Sequence, residues 1–316
     1  MERRLSRRHL AKTAGALTIV SSMSMIPLMG ADRSVFAQNA TAAAGDSPFA
    51  SLGLKSLDLS VSEKGVTGLP ETLEAGRYAL HLEPAGMLPQ NSPPGVFFAK
   101  LPDGVTMDDL MAMASATPSG SGEGDNSGPP PWYYTTTLPG GVSAAPNQAG
   151  DAVIDLTAGN WFASGPGLST MPVGFTVTGD LAKDLPAPKA NATITFHDYT
   201  IDLTDGALTA GMNVVQLVND GKMPHFLSLE KAPDGLTLDQ LGAGLKASMT
   251  GTPVAGGLTE SDLTPVFNAI DQSAGTTQWF TLQLEAGTYA AMCWVSEPTT
   301  GVPHAYMGMY NIFTVK

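Results

Sequence analysis

Alternating apolar and polar positions recur along this chain, and the same stretches occur twice in the same order. Leu73–Leu82 (LEAGRYALHL) parallels Leu208–Leu217 (LTAGMNVVQL). Both alternate after a glycine turn, the signature of a half-buried strand. Leu101–Leu110 parallels Ala232–Leu241, where a Pro-Asp-Gly turn leads to Thr106 or Thr237 as the N-cap of a short helix. Ile154–Trp161 parallels Leu282–Tyr289, and Met171–Val177 parallels Met309–Val315. The constant order predicts two copies of one β-sandwich, each with a short helical excursion, over residues 51–179 and 190–316. Residues 180–189 form a linker stiffened by Pro186 and Pro188. The Gly/Ser/Pro-rich stretch Pro118–Pro131 reads as a mobile loop, with a milder counterpart from Thr250 to Ser261. Residues 38–50 read as a flexible lead-in.

Composition fits a turn-rich all-β protein of two domains: 316 residues with 35 glycines, 24 prolines and only 14% charged residues. The start of the chain stands apart. Ser6-Arg7-Arg8-His9-Leu10-Ala11-Lys12 resembles the twin-arginine export consensus. An apolar run from Thr13 to Met29 and then Val35-Phe36-Ala37 follow it, which suits a signal peptide over residues 1–37 and an exported, periplasmic or extracellular product. The run is short for a membrane span and contains serines, so no integral membrane domain is expected after the signal. The formal net charge is −13, and loss of the basic leader makes the remainder more acidic still. Such a surface repels nucleic acid and anionic lipid and favours a partner with a basic docking surface, while also serving solubility.

Cys293 is the only cysteine, so no internal disulfide is possible. In an oxidising compartment a lone thiol should be buried, paired between chains or bound to metal. Its surroundings favour metal. The stretch Cys293-Trp-Val-Ser-Glu-Pro-Thr-Thr-Gly-Val-Pro-His304-Ala-Tyr-Met307-Gly-Met309 places thiolate, imidazole and thioether in one loop, and Met223-Pro224-His225-Phe226 offers a second imidazole. Two histidines and a cysteine, with a long weak bond to methionine, form the ligand set of a blue-copper electron-transfer centre. Met309 is preferred to Met307 as the axial candidate.

At these residues the second copy resembles the cupredoxins, the plastocyanin- and azurin-like blue-copper family. Asn219–His225 resembles the strand end and loop carrying that family's first histidine; Gly287–Cys293 resembles the strand delivering its cysteine. His304-x4-Met309 then enters a final strand. The resemblance covers residues 190–316. It implies two tandem cupredoxin-like Greek-key sandwiches, one type 1 copper per chain held by His225, Cys293, His304 and Met309, and a redox partner protein. Two features depart from the pattern. Ten residues separate Cys293 from His304, and Phe226 stands where many members have an asparagine tying the ligand loops together. The second departure implies greater solvent exposure or an altered potential of the metal.

The first copy lacks the ligands. Aligned on the Pro-Asp-Gly turns, His225 falls opposite Pro94; aligned on Ala158-Gly159 and Ala286-Gly287, Cys293 falls opposite Gly165. Only Met171 survives, opposite Met309. That copy is expected to hold no metal here and to serve as structure or docking surface. His81 and His197 read as ordinary surface or core histidines, and Trp132, Trp161, Trp279 and Trp294 as packing. Met292 should point away from Cys293, since strand neighbours face opposite sides.

Catalysis finds little support: there is no His-x-His pair, no phosphate-binding glycine motif and no H-E-x-x-H. The expectation is a non-enzymatic electron carrier or redox subunit. Copper storage or handling would use the same ligands, and zinc would also accept them. An exported binding or structural β-sandwich with Cys293 simply buried is the alternative without metal.

Overall fold

The computed structural model describes residues 47–89, 92–115, 129–252, 258–259 and 262–316. The export signal assigned to 1–37, most of the lead-in and most of the Pro118–Pro131 stretch lie outside these residues. The first half contains β1 (Lys55–Ser62), β2 (Gly65–Thr67), β3 (Thr72–Glu74), β4 (Gly76–Leu82), β5 (Gly95–Ala99), α1 (Met107–Ser115), β6 (Gly141–Ser143), β7 (Gly150–Leu156), β8 (Gly159–Ser164) and β9 (Val173–Thr178). The second contains β10 (Ala192–His197), β11 (Thr200–Gly206), β12 (Gly211–Asn219), β13 (Ser228–Ala232), α2 (Leu238–Thr250), β14 (Thr264–Asn268), β15 (Thr277–Leu284), β16 (Gly287–Met292) and β17 (Tyr310–Val315). The fold is all-β, with these two helices as excursions.

Strand burial follows the alternation of the sequence. In β1, Leu57, Leu59 and Val61 are buried between exposed neighbours; in β12, Asn213, Val215, Leu217 and Asn219 face inward. Each helix starts where its Pro-Asp-Gly turn places a threonine. Thr237 closes a capping box with Gln240 on α2, and Thr106 exchanges hydrogen bonds with Asp109 on α1.

Pairing in the two halves has the same order. Parallel β1·β4 matches parallel β10·β12, and antiparallel β4·β7 matches β12·β15. On the other layer β5·β8 and β8·β9 match β13·β16 and β16·β17. The sequence repeats carried no signal for what joins them. β7 pairs antiparallel with β15 through Ala152 with Phe280 and Val153 with Trp279, so one eight-stranded sheet runs β11-β10-β12-β15-β7-β4-β1-β2 through both halves. Aligning Ile154–Trp161 on Leu282–Tyr289 makes Ala152 the counterpart of Phe280. Equivalent residues thus meet, and the seam has local two-fold character. A four-stranded sheet (β14-β13-β16-β17) and a five-stranded sheet (β3-β9-β8-β5-β6) complete the architecture, and one buried apolar cluster draws on all three sheets.

Arg77 locks the seam. Its guanidinium grips Asp155 with two bonds of 2.7 and 2.8 Å, donates to Leu185 O and Pro186 O in the linker, and lies 4.7 Å from the Trp279 ring centroid. No helix among the described residues is long and apolar enough to cross a membrane.

The seam continues as a polar relay beside it. Gly140 has φ +97°, and a Cβ there would lie 2.2 Å from Gln278 Oε1. Gln278 is buried and bonded to Gly141 N, Ile270 O and Gln272 Oε1, so its amide has nowhere to retreat. Gly140→Ala should therefore lower stability by roughly 1–3 kcal/mol in denaturant titration. Gly179→Ala (φ +79°, no atom within 4 Å) should cost less, since only the backbone term applies.

Candidate metal centre

His225, Cys293 and His304 come from three places in the chain and meet at one end of the second half. His225 follows β12 and is fixed by reciprocal backbone bonds with Gln272, of 2.9 and 2.8 Å. Cys293 ends β16. Beyond it the chain folds back on itself: His304 N donates to Val295 O, Ala305 N to Cys293 O, Met309 N to His304 O and Cys293 N to Met309 O. The ten-residue excursion is thus a braced hairpin. At its tip the Glu297 carboxylate accepts from the backbone N–H and hydroxyl groups of Thr299 and Thr300.

The donor atoms converge. Cys293 Sγ lies 3.6 Å from His225 Nδ1 and 3.7 Å from His304 Nδ1, and the two Nδ1 atoms are 3.2 Å apart. Metal–ligand bonds of ~2.0–2.3 Å around one ion separate donors by roughly 3.2–3.8 Å, so this spacing fits an ion at the centre. All three residues have 0% exposure. Among the described residues this is the one group of three or more His, Cys, Asp or Glu with metal-binding spacing. Met309 is also fully buried beside it, whereas Met307 is 41% exposed. Met307 lines a surface depression with Met249, Tyr306 and Tyr310. Met292 packs on the opposite side of β16, in the cluster under α2.

Electrostatics leave the nitrogens free to bind. Burial pulls His225 down to about 4, against the pull of Asp198. Burial and the neighbouring His225 pull His304 down to about 3. Both imidazoles are neutral near pH 7. His225 Nε2 lies 3.2 Å from Asp198 Oδ1, which keeps the proton on Nε2 and turns the Nδ1 lone pair inward. Burial works against the Asp198 carboxyl, but bonds from Lys222 N and His225 outweigh it and hold the group below its usual range. The Cys293 thiol is pushed up to about 12 by burial, so a cation must displace its proton.

Several surrounding residues were not legible as site residues. Asp198 and Tyr199 form the β10–β11 turn, and Tyr199 packs edge-on against the His304 ring, centroids 5.3 Å apart. From the first half, Tyr134 donates to Ser296 O in the Cys293–His304 hairpin and Tyr133 to the Asp271 carboxylate. Asp271 is pushed up to about 7 by burial. Leu138 N donates to Ser273 Oγ and Ser273 N to Leu138 O, so the first half also grips the segment that pairs with His225. No spacing rule reports such contacts. The one available signal was the short polar turn Asp198-Tyr199 at the end of a strand.

Of the two consequences ascribed to Phe226, greater exposure is not what the structure shows: Phe226 is 4% exposed, and His225 and His304 are fully buried. At the corresponding end of the first half stand Pro94 and Gly165; Gly165 is enclosed by Ser169 and Thr170, and Met171 is 60% exposed. His197 lies half-exposed 3.6 Å from Asp220, and His81 contacts Asp151 at 2.9 Å. Neither belongs to the group formed by His225, Cys293 and His304.

No protein-family model matches the chain, and no curated protein matches it. Solved structures give partial likenesses. Auracyanin from Roseiflexus castenholzii is 17% identical over 39% of this chain and 94% of that one, with a TM-score of 0.26. Auracyanin A, a "blue" copper protein from Chloroflexus aurantiacus, is 19% identical over 39% and 96%, also at 0.26. A rusticyanin variant is 16% identical over 40% and 75%, at 0.24.

Two outcomes follow for the metal-free protein. Cys293 should resist alkylation at pH 8 in the folded state and react readily once unfolded, as read by thiol titration. Both histidines have folded values below the unfolded ~6.5. Their contribution to stability is therefore complete above about pH 6.5 and is lost as pH falls toward about 4 for His225 and about 3 for His304. Each should add roughly 1 kcal/mol per pH unit to the slope of stability across that window, and His304→Gln should remove part of it.

Proposed function

We propose that the second half binds one copper ion through His225, Cys293 and His304, with Met309 as a weak axial ligand, and passes single electrons. The reading makes this chain an exported cupredoxin-like blue-copper protein, a carrier or redox subunit rather than an enzyme. The observation that carries it is the convergence of one thiol sulfur and two imidazole nitrogens within bonding reach of a common point, all fully buried. A soft thiolate and thioether with two imidazoles suit both redox states of copper, which is the chemistry the ion supplies.

The chain's own residues do the rest. Backbone bonds between Cys293 and Met309, Val295 and His304, and His225 and Gln272 hold the donors on rigid elements, so a change of charge moves them little. Complete burial excludes water. Asp198 fixes the tautomer and orientation of His225. The acidic surface favours a basic redox partner. The leader resemblance favours a periplasmic or extracellular setting.

Copper(II) titrated into the purified protein should produce an intense visible band from thiolate-to-copper charge transfer at one ion per chain. Cys293→Ser should abolish the band, and His304→Ala should bleach or shift it. A colourless protein that takes up no copper would overturn the reading and favour a structural module. Preference for zinc, or colour without reversible reduction, would redirect it to metal handling.

A further inference from the structure

The turn joining β10 to β11 is two residues long, with His197 pairing Thr200 across it. Its residues address both histidines. Asp198 contacts His225 Nε2, and the next residue, Tyr199, contacts the ring of His304. Tyr199 does so from an unfavourable backbone position: φ is +69°, a left-handed conformation that costs a residue with a Cβ roughly 1 kcal/mol. Glycine or asparagine would occupy it more easily. A bulky aromatic there is held by what its ring touches.

The ring stands at 84° to the His304 imidazole. The other aromatic neighbour of His304 is His225, 5.0 Å away on the side of the donor cluster. Tyr199 itself is only partly buried, whereas His304 has no exposure and its Nε2 has no hydrogen-bond partner. An imidazole nitrogen that would bond to water if it could reach it is thus kept dry, and the Tyr199 ring is packed against that imidazole. The strand leaving the turn is anchored, since Asn311 Nδ2 donates to Ile201 O at 2.6 Å.

We propose that Tyr199 is a positioning residue of the centre, whose ring seals the outer edge of His304 and controls its access to water and small donor ligands. Its consequence for copper rests on the reading given above; the seal itself does not. The seal restrains the imidazole and sets an aromatic surface between it and any approaching molecule.

Diethyl pyrocarbonate acylates accessible neutral imidazoles, and peptide mass spectrometry locates the product. In the metal-free protein the 45% exposed side chain of His197 is an internal standard. His304 should stay unmodified in the wild type and in Tyr199→Phe. It should react at least tenfold faster in Tyr199→Gly and Tyr199→Asn, both of which accept positive φ. Denaturation midpoints confirm that each variant is folded, and two variants guard against failure of one. A folded Tyr199→Gly or Tyr199→Asn protein with unreactive His304, or a wild type in which His304 reacts like His197, would overturn the seal. With copper added, imidazole in solution should alter the visible spectrum of the Gly variant and not that of the wild type. If neither protein takes up copper, the copper reading fails while the acylation result still decides the role of Tyr199.

Discussion

Desolvation governs the end of the sandwich where Cys293, His225 and His304 meet. Burying three polar side chains with so few hydrogen-bond partners is unfavourable unless something compensates. Here the compensation is partial. Asp198 satisfies one nitrogen, weak S···N and N···N contacts link the three donors, and His304 Nε2 is left without a partner. The same dryness neutralises both imidazoles and keeps the thiol protonated. A cation entering such a cluster replaces poor contacts with strong ones. Site geometry, proton state and stability are therefore facets of one constraint.

That constraint explains why so much backbone is committed to a small volume. The hairpin is cross-braced from Cys293 to Met309, and Gln272 clamps His225. The clamp is itself held through Gln278 and Ser273 by residues of the first half. The first half thus contributes a frame. Tyr133 and Tyr134 extend from it to the edge of the cluster, their rings 5.2 Å apart.

Much of this was legible in the chain. Alternation at Leu57–Val61 and along β12, the Pro-Asp-Gly turns with Thr106 and Thr237, and the repeated order of motifs reflect local rules that hold whatever surrounds them. Cys293 and His304 were legible because a thiol and an imidazole in one short loop are uncommon and chemically specific, and His225 because it is one of the few other histidines. The seam between β7 and β15 was not, because edge pairing depends on which strand edges remain free after each half has formed. Asp198, Tyr199, Gln272 and Tyr134 were missed for a related reason. Their roles arise from contacts across turns and halves, and each alone looks like an ordinary surface or loop residue.

The seam has a further bearing on how the chain can be divided. β15 is an inner strand only because β7 lies beside it. Cut away from its neighbour, the second half would carry Trp279 and Phe280 on a bare strand edge with unpaired amides, the kind of margin that recruits other chains. Arg77 would leave the Trp279 face, and Ser273 would lose its grip on Leu138. The first half therefore acts as a permanent partner fused in one polypeptide, and the pair resembles a dimer whose subunits cannot dissociate.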